Sequence, residues 1–175
     1  MSSRLPDFVD PWRMADQGRV FSGHAAIDDL PRLAKDVLGA EGDIELRLEF
    51  RRDQEKRACI SGSVKADLLL ECQRCLNPML VSIESQLNIA LVRSAEEAER
   101  LPEHYDPLLL DEPRIRLLDI VEEELLLSLP QVSRHEIGEC GCSDLHQKTE
   151  QEIADREEPS ERSNPFAILA ELKQK

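Results

Sequence analysis

The chain has 175 residues, 41% hydrophobic and only 3% aromatic, enough for one domain whose core is packed mainly from Leu, Ile and Val. Thirty-six acidic residues against twenty-two basic ones leave a formal charge of −14. That argues against binding bare nucleic-acid backbone, where Lys and Arg must neutralise phosphates, and favours basic protein partners through long-range attraction. No opening stretch reads as a signal peptide and no later run approaches the roughly 18 apolar residues of a membrane span, so the expected location is the cytoplasm, with no membrane partner.

The acidity is uneven. Residues 1–92 hold 12 basic and 15 acidic residues, a net of −3, whereas residues 93–175 hold 10 and 21, a net of −11.

In chain order, residues 1–26 read as irregular, with Pro6 and Pro11 and a short extended piece at Arg19–Phe21. Asp28 or Asp29 then predicts a helix start, with Pro31 tolerated in the first turn and Leu30, Leu33, Ala34 and Val37 on one face before Gly39. Period-two alternation follows. Ile44, Leu46, Leu48 and Phe50 share one phase, as do Ile60 through Cys72, and Val81 through Leu91. This predicts antiparallel strands with one buried face, the last two long enough to bend, with Gly62 as a bulge or kink. Cys59 falls out of phase and reads as a lone thiol.

Ser94 to Glu97 predicts a capping box opening a short helix, and Pro107–Leu110 predicts another extended piece. A stronger helix spans about Leu117 to Leu129. Its apolar stripe is Leu118, Val121, Leu125 and Ser128, widened by Leu117, Ile120 and Leu127, with Glu122, Glu123 and Glu124 on the rest. From 143 to 163 large apolar side chains are scarce and a disordered acidic linker is expected. Residues 164–175 regain a helical signature, with Asn164 as N-cap, Pro165 at the first position, and Phe166, Ile168, Leu169 and Leu172 following. The fold class is therefore α+β: a curved antiparallel sheet with a long hairpin and two or three packed helices. The organisation is a domain over 1–142, a linker over 143–163 and a short helical motif over 164–175.

Cys72-Gln-Arg-Cys75 sits at the hairpin tip, where two thiolates can converge on one tetrahedral ion. Cys140 and Cys142 are the available second pair, with His135 and His146 nearby, but their one-residue spacer is shorter than the usual two to four, so no cofactor is expected and zinc at Cys72, Cys75, Cys140 and Cys142 is the lesser reading. The bland reading is that Cys72 and Cys75 close the hairpin core. A redox C-x-x-C lacks the surrounding βαβ pattern. His135-Glu136 fails as H-E-x-x-H because position 139 is Glu. No phosphate-binding loop or nucleophile elbow is present, so no catalytic residue and no small-molecule substrate are assigned.

Glu122 and Glu123 read either as a contact for a basic partner or as a solvated helix face. They cannot join Glu124 around one magnesium ion, because consecutive helix positions diverge by about 100°. The segment at Asn164, Pro165, Phe166, Leu169 and Leu172 is too short to persist alone in water and must dock on the body or on a partner groove. Arg13, Arg51, Arg52, Lys56, Arg57 and Arg74 could form a smaller basic face for RNA.

Four landmarks occur in order: Asp10-Pro-x-Arg13-x-Ala15, Leu70-Glu-Cys72-Gln-Arg-Cys75, Leu117-Leu-Asp-Ile-Val-Glu122 to Leu129-Pro130, and Asn164-Pro-Phe166-Ala-x-Leu169-Ala-x-Leu172-Lys173. Their order and spacing resemble the large ribosomal RNA subunit accumulation family, YceD, in its proteobacterial form, over nearly the whole chain. The resemblance implies a non-enzymatic cytoplasmic factor supporting synthesis, processing or stability of 23S ribosomal RNA. Its expected partners are basic large-subunit ribosomal proteins or precursor 23S particles. Many relatives carry a fuller second cysteine cluster, of which Cys140 and Cys142 remain here. The other reading of the residues is a zinc-stabilised adaptor with no ribosomal role.

Overall fold

Alternating apolar and charged residues become strands, and the breaks between them become short helices and turns. In the computed structural model, which describes residues 5–110, 112–136, 139 and 140, the strands in chain order are β1 (Phe8–Val9), β2 (Val20–Ala25), β3 (Gly39–Ala40), β4 (Ile44–Arg52), β5 (Ala58–Glu71), β6 (Pro78–Val92), β7 (Asp106–Leu109) and β8 (Ile115–Arg116). The helices are α1 (Pro11–Gln17), α2 (Leu33–Asp36), α3 (Ala95–Ala98) and α4 (Leu117–Ser128). Met1–His135 forms one unit and Glu136–Lys175 another. The expected linker over 143–163 and helix over 164–175 lie outside the described residues.

The main sheet runs β2-β4-β5-β6-β7, with β3 pairing β5 beyond the end of β4. All pairs are antiparallel except β6 with β7, which is parallel. The sheet is thus mixed rather than purely antiparallel, because residues 93–105 carry the chain from the end of β6 back to Asp106, opposite Ile89, before β7 begins. A separate β1–β8 ribbon sets Val9 opposite Ile115 and leads directly into α4.

One face of the sheet is buried, as the alternation requires. Ile44, Leu46, Leu48 and Phe50 of β4 and Ile60, Val64, Ala66, Leu68 and Leu70 of β5 are all buried, and Leu33, Leu117, Val121 and Leu125 belong to the same core. Each such side chain contributes about 1.5–3 kcal/mol on leaving water. The other face is covered locally. Cys59 is fully buried with Ala90 and Tyr105, with Leu101 packed against them. The thiol that looked solitary in sequence has a small core of its own, supplied by the 93–105 connection.

Two helical expectations change. Residues 11–17 form a helix rather than irregular chain. Asp10 Oδ1 accepts the Arg13 N–H (3.1 Å), Pro11 sits at the tolerated first position, and Gly18 ends the helix in the left-handed conformation at φ 60°. The expected helix from Asp28 shrinks to a 3-10 turn at Ile27–Asp29 followed by the single turn of α2. Asp29 spends its carboxylate on the Ala26 N–H (3.2 Å) and caps nothing downstream. The expected capping box at Ser94 forms in part: Ser94 Oγ accepts the Glu97 N–H (3.3 Å), while Glu97 Oε2 accepts the N–H of Arg93, one residue before the cap (2.8 Å).

Gly62 makes no bulge. The ladder runs through it unbroken, with Leu48 opposite on β4 and Leu87 on β6. Its role is close approach: a Cβ there would collide with the Arg47 carbonyl oxygen and lie 3.1 Å from the Leu48 side chain. Gly62→Ala is therefore expected to cost at least about 1–3 kcal/mol of unfolding free energy in denaturant titration. A variant as stable as the parent would contradict this packing.

Candidate metal centre and acidic cleft

Three ligand-bearing side chains meet at the tip of the β5–β6 hairpin. Cys72 follows β5 directly, and its N–H donates to the Asn77 carbonyl (3.0 Å) while its own carbonyl accepts from Leu76 (2.8 Å). The turn is tight enough that Leu76 takes a left-handed φ of 59°. The chain after α4 then crosses the tip: the Gln73 N–H donates to the Ser133 carbonyl (2.8 Å), and the Arg74 guanidinium donates to the His135 carbonyl (3.2 Å). This docking brings His135 Nδ1 to 3.4 Å from Cys75 Sγ. The Cys72, Cys75 and His135 ligand atoms lie within 4.8 Å of one another.

The tip favours a thiolate. Burial works to raise the Cys72 thiol, but backbone N–H groups of His135, Cys75 and Arg74, together with the Cys75 side chain, overcome it and lower the pKa to about 5. Cys59 behaves oppositely, because burial pushes its thiol up. Cys140 belongs to the second unit, where it is buried, and Cys142 lies outside the described residues. His135 is thus the candidate side chain that the cysteine spacing alone left out; its signal in the sequence was proximity to Cys140, not a spaced motif.

The acidic helix divides its glutamates among three tasks. Glu122 is buried (2% exposed) and its Oε1 accepts the N–H groups of Arg32 (2.6 Å) and Leu33 (3.2 Å). That corrects its reading as a partner contact: the carboxylate caps α2 from across the structure. Glu123 is at the surface, paired with Arg32 (2.7 Å), and Glu124 accepts from the Ser85 hydroxyl. Leu127, expected on the apolar stripe, is 75% exposed. It borders a cleft of about 580 Å³ between α4 and β7, floored by Leu108, Ile115 and Ile120. Asp106, Glu112, Asp119, Glu123 and Glu124 line it against Arg32, Arg114 and Arg116. Glu123 and Asp119 pair with Arg32 and Arg116 and Glu124 is held by Ser85, so Asp106 and Glu112 are the lining carboxylates outside these contacts.

The candidate RNA-contacting cations are scattered and mostly engaged. Arg51 and Arg52 end β4, Lys56 and Arg57 lie in the turn before β5, and Arg74 lies beyond the end of β5, so that strand's 14 residues separate the two groups, about 45 Å if straight. Arg52 is held by Asp16 (2.7 Å) and by the Lys56 carbonyl (2.8 Å). Arg57 pairs with Asp53 (2.8 Å) and Glu55 (2.7 Å) and lies over the Tyr105 ring. Arg51 reaches the Ser61 hydroxyl (3.4 Å). Lys56, at a φ of 62°, and Arg13 are exposed. Burial opposes ionisation of Asp53, yet the Arg57 N–H and guanidinium and the Glu55 N–H hold its pKa below the usual carboxylate range. The stability this contributes is present above the unfolded carboxylate pKa and is lost as pH falls through the lowered folded value.

An α+β protein with a thiol-rich hairpin tip and an acidic cleft is what this geometry defines. A family model described as large ribosomal RNA subunit accumulation protein YceD matches residues 60–173. The curated protein of that name from Haemophilus influenzae is 35% identical over 175 residues, covering 98% of each chain. No solved structure matches. The chain belongs to the YceD family, as its four ordered landmarks indicated. No helix among the described residues is long and apolar enough to cross a membrane.

Glu122→Ala leaves two backbone N–H groups of α2 without their acceptor and is expected to cost about 1–3 kcal/mol in denaturant titration. Glu122→Gln, which keeps an acceptor oxygen, should recover part of that, and Glu123→Ala, at an exposed pair, should be near neutral. Equal effects of the two alanine variants would contradict the capping role.

Proposed function

We propose that this chain is a non-enzymatic cytoplasmic factor that supports accumulation of 23S ribosomal RNA and large-subunit assembly by holding basic large-subunit ribosomal proteins, or precursor 23S particles through those proteins. Membership of the YceD family supports the ribosomal role. The observation that carries the mechanism is the cleft beside α4. It offers an apolar floor, an exposed Leu127 and a surplus of carboxylates at its edge. An extended basic segment with apolar side chains complements it in both charge and chemistry.

Direct phosphate binding is the weaker route. Arg32, Arg52, Arg57, Lys65 and Arg116 are each tied to a carboxylate, and a cation already neutralised releases few counterions from a nucleic acid. Contact with RNA is then made alongside the protein bound in the cleft. Asn164, Pro165, Phe166, Leu169 and Leu172 belong to this proposal as a second partner contact, on the strength of their sequence pattern alone.

The test is complementation of a bacterial strain lacking its YceD protein, with the ratio of 23S to 16S RNA as readout. The parent chain is expected to restore the ratio. Glu112→Lys combined with Leu127→Arg reverses the charge and polarity of the cleft edge at two exposed positions. It should fold normally by circular dichroism yet restore little. Full restoration by this variant would remove the cleft from the mechanism. Failure of the parent chain would overturn the ribosomal reading.

A further inference from the structure

The main sheet ends on β7, and the acidic cleft opens along the free edge of that strand. We propose that this edge takes a short extended segment of a basic protein as an added strand, with the apolar side chains of the segment seated in the cleft. The inference rests on the cleft being the partner contact and deepens it: the partner is read through its backbone, in a strand conformation.

The first argument is backbone chemistry. β7 is the last strand on the sheet path, and among the described residues no strand pairs with it on the far side. Leu109 lies opposite Val92, and the Val92 carbonyl accepts the Leu110 N–H (3.1 Å). In a parallel ladder that pattern turns the polar groups of Leu108 and Leu110 toward β6 and those of Pro107 and Leu109 outward. Pro107 has no N–H. The outer edge therefore offers the Pro107 carbonyl together with the N–H and carbonyl of Leu109. Edge groups of this kind are a template for another chain, and strand addition draws its affinity from them. The proline shortens the usable edge, so the added strand is short.

The second argument is the shape of the cleft. Asp106 and Leu108 share a face with their partners Ile89 and Leu91, the face that packs toward α4. Pro107 projects to the opposite face yet also lines the cleft, so the cavity reaches around the strand edge to the place an added strand occupies. Every second side chain of such a strand points to the α4 face. There it meets the floor of Leu108, Ile115 and Ile120. Phe8 and Leu127 also line the cleft and are 62% and 75% exposed. Large apolar side chains grouped in this way mark an interaction surface.

The third argument is charge. Asp106 opens β7 and Glu112 lies two residues past Leu110, so the two carboxylates outside the internal contacts bracket the free edge. Carboxylates in the lining outnumber guanidinium groups five to three. A segment with Lys or Arg at each end and alternating apolar residues between them matches this edge. A second copy of this chain is the poorer occupant, because two bodies each carrying −14 repel.

The experiment uses the full chain and a fluorescein-labelled peptide, Lys-Val-Thr-Val-Thr-Val-Lys, read by anisotropy at low salt. Two N-methylated forms carry their methyl groups on alternate sets of peptide nitrogens. An added strand turns one set toward β7 and the other to solvent. One form should therefore bind at least about tenfold more weakly, and the other like the unmodified peptide. Replacing both terminal Lys by Glu should weaken binding by at least about tenfold. Leu109→Pro removes the outward N–H and leaves the β6–β7 ladder its own hydrogen bonds; it should weaken the unmodified peptide by several-fold. If this variant fails to fold, the two methylated peptides on the parent chain still decide. Equal affinities of those two forms, or no binding of the unmodified peptide, would overturn strand addition. The cleft is judged separately by complementation with the combined Glu112→Lys and Leu127→Arg variant. Loss of complementation there, together with equal affinities of the methylated forms, would remove the added strand and keep the cleft as the partner contact.

Discussion

The antiparallel pairing of β5 with β6, thirteen positions from Cys59 opposite Ala90 to Glu71 opposite Pro78, is the constraint on which the rest of the molecule depends. β4 and β3 attach to one edge of that ladder and β7 to the other. The buried face of the same two strands receives α4, and the far end of the ladder presents Cys72 and Cys75. A one-residue slip would turn Ile60, Val64, Ala66 and Leu68 to the wrong face and expose the core. It would also misplace the hairpin tip relative to Ser133 and His135. Register, core and thiol cluster are therefore one problem with one solution.

A second constraint acts across the chain. The Glu122 carboxylate, on the most acidic helix, is turned inward onto the N–H groups of Arg32 and Leu33. Burying a charge is tolerated only where hydrogen bonds replace water, and here they also fix a four-residue helix too short to stand alone. The neighbouring Glu123 is exposed and Glu124 half-buried against Ser85, so three consecutive acids of one type differ in role by helical angle alone.

The sheet and α4 were legible in the sequence because strict period-two and helical patterns survive to the fold. Ile44 to Phe50 and Ile60 to Leu70 alternate as read. The failures have local causes. Pro11 reads as a break although the first helical turn accommodates it, and Asp10, one position earlier, is the N-cap. Cys59 and Glu122 are buried by segments distant in sequence, and no window around either residue carries that information. β7 pairs in parallel, which periodicity cannot distinguish from antiparallel. Of the site, the C-x-x-C pair was readable from spacing, whereas His135 required the docking of the post-α4 chain on the hairpin tip.

Charge gives the structure its functional direction. Arg32, Arg52, Arg57, Lys65 and Arg116 are drawn into ion pairs, and carboxylates line an apolar cleft and dominate the C-terminal half of the sequence. On the proposed function, such a surface attracts basic proteins and repels bare phosphate backbone. The most direct test of that claim is capture of tagged chain from growing cells at low salt, split into RNase-treated and untreated halves. Large-subunit proteins retained after RNase, and shed as salt rises through the range where screening shortens to about 8–10 Å, are the expected result. Loss of all ribosomal material on RNase treatment would contradict it and shift the contact to RNA and the exposed cations at Arg13 and Lys56.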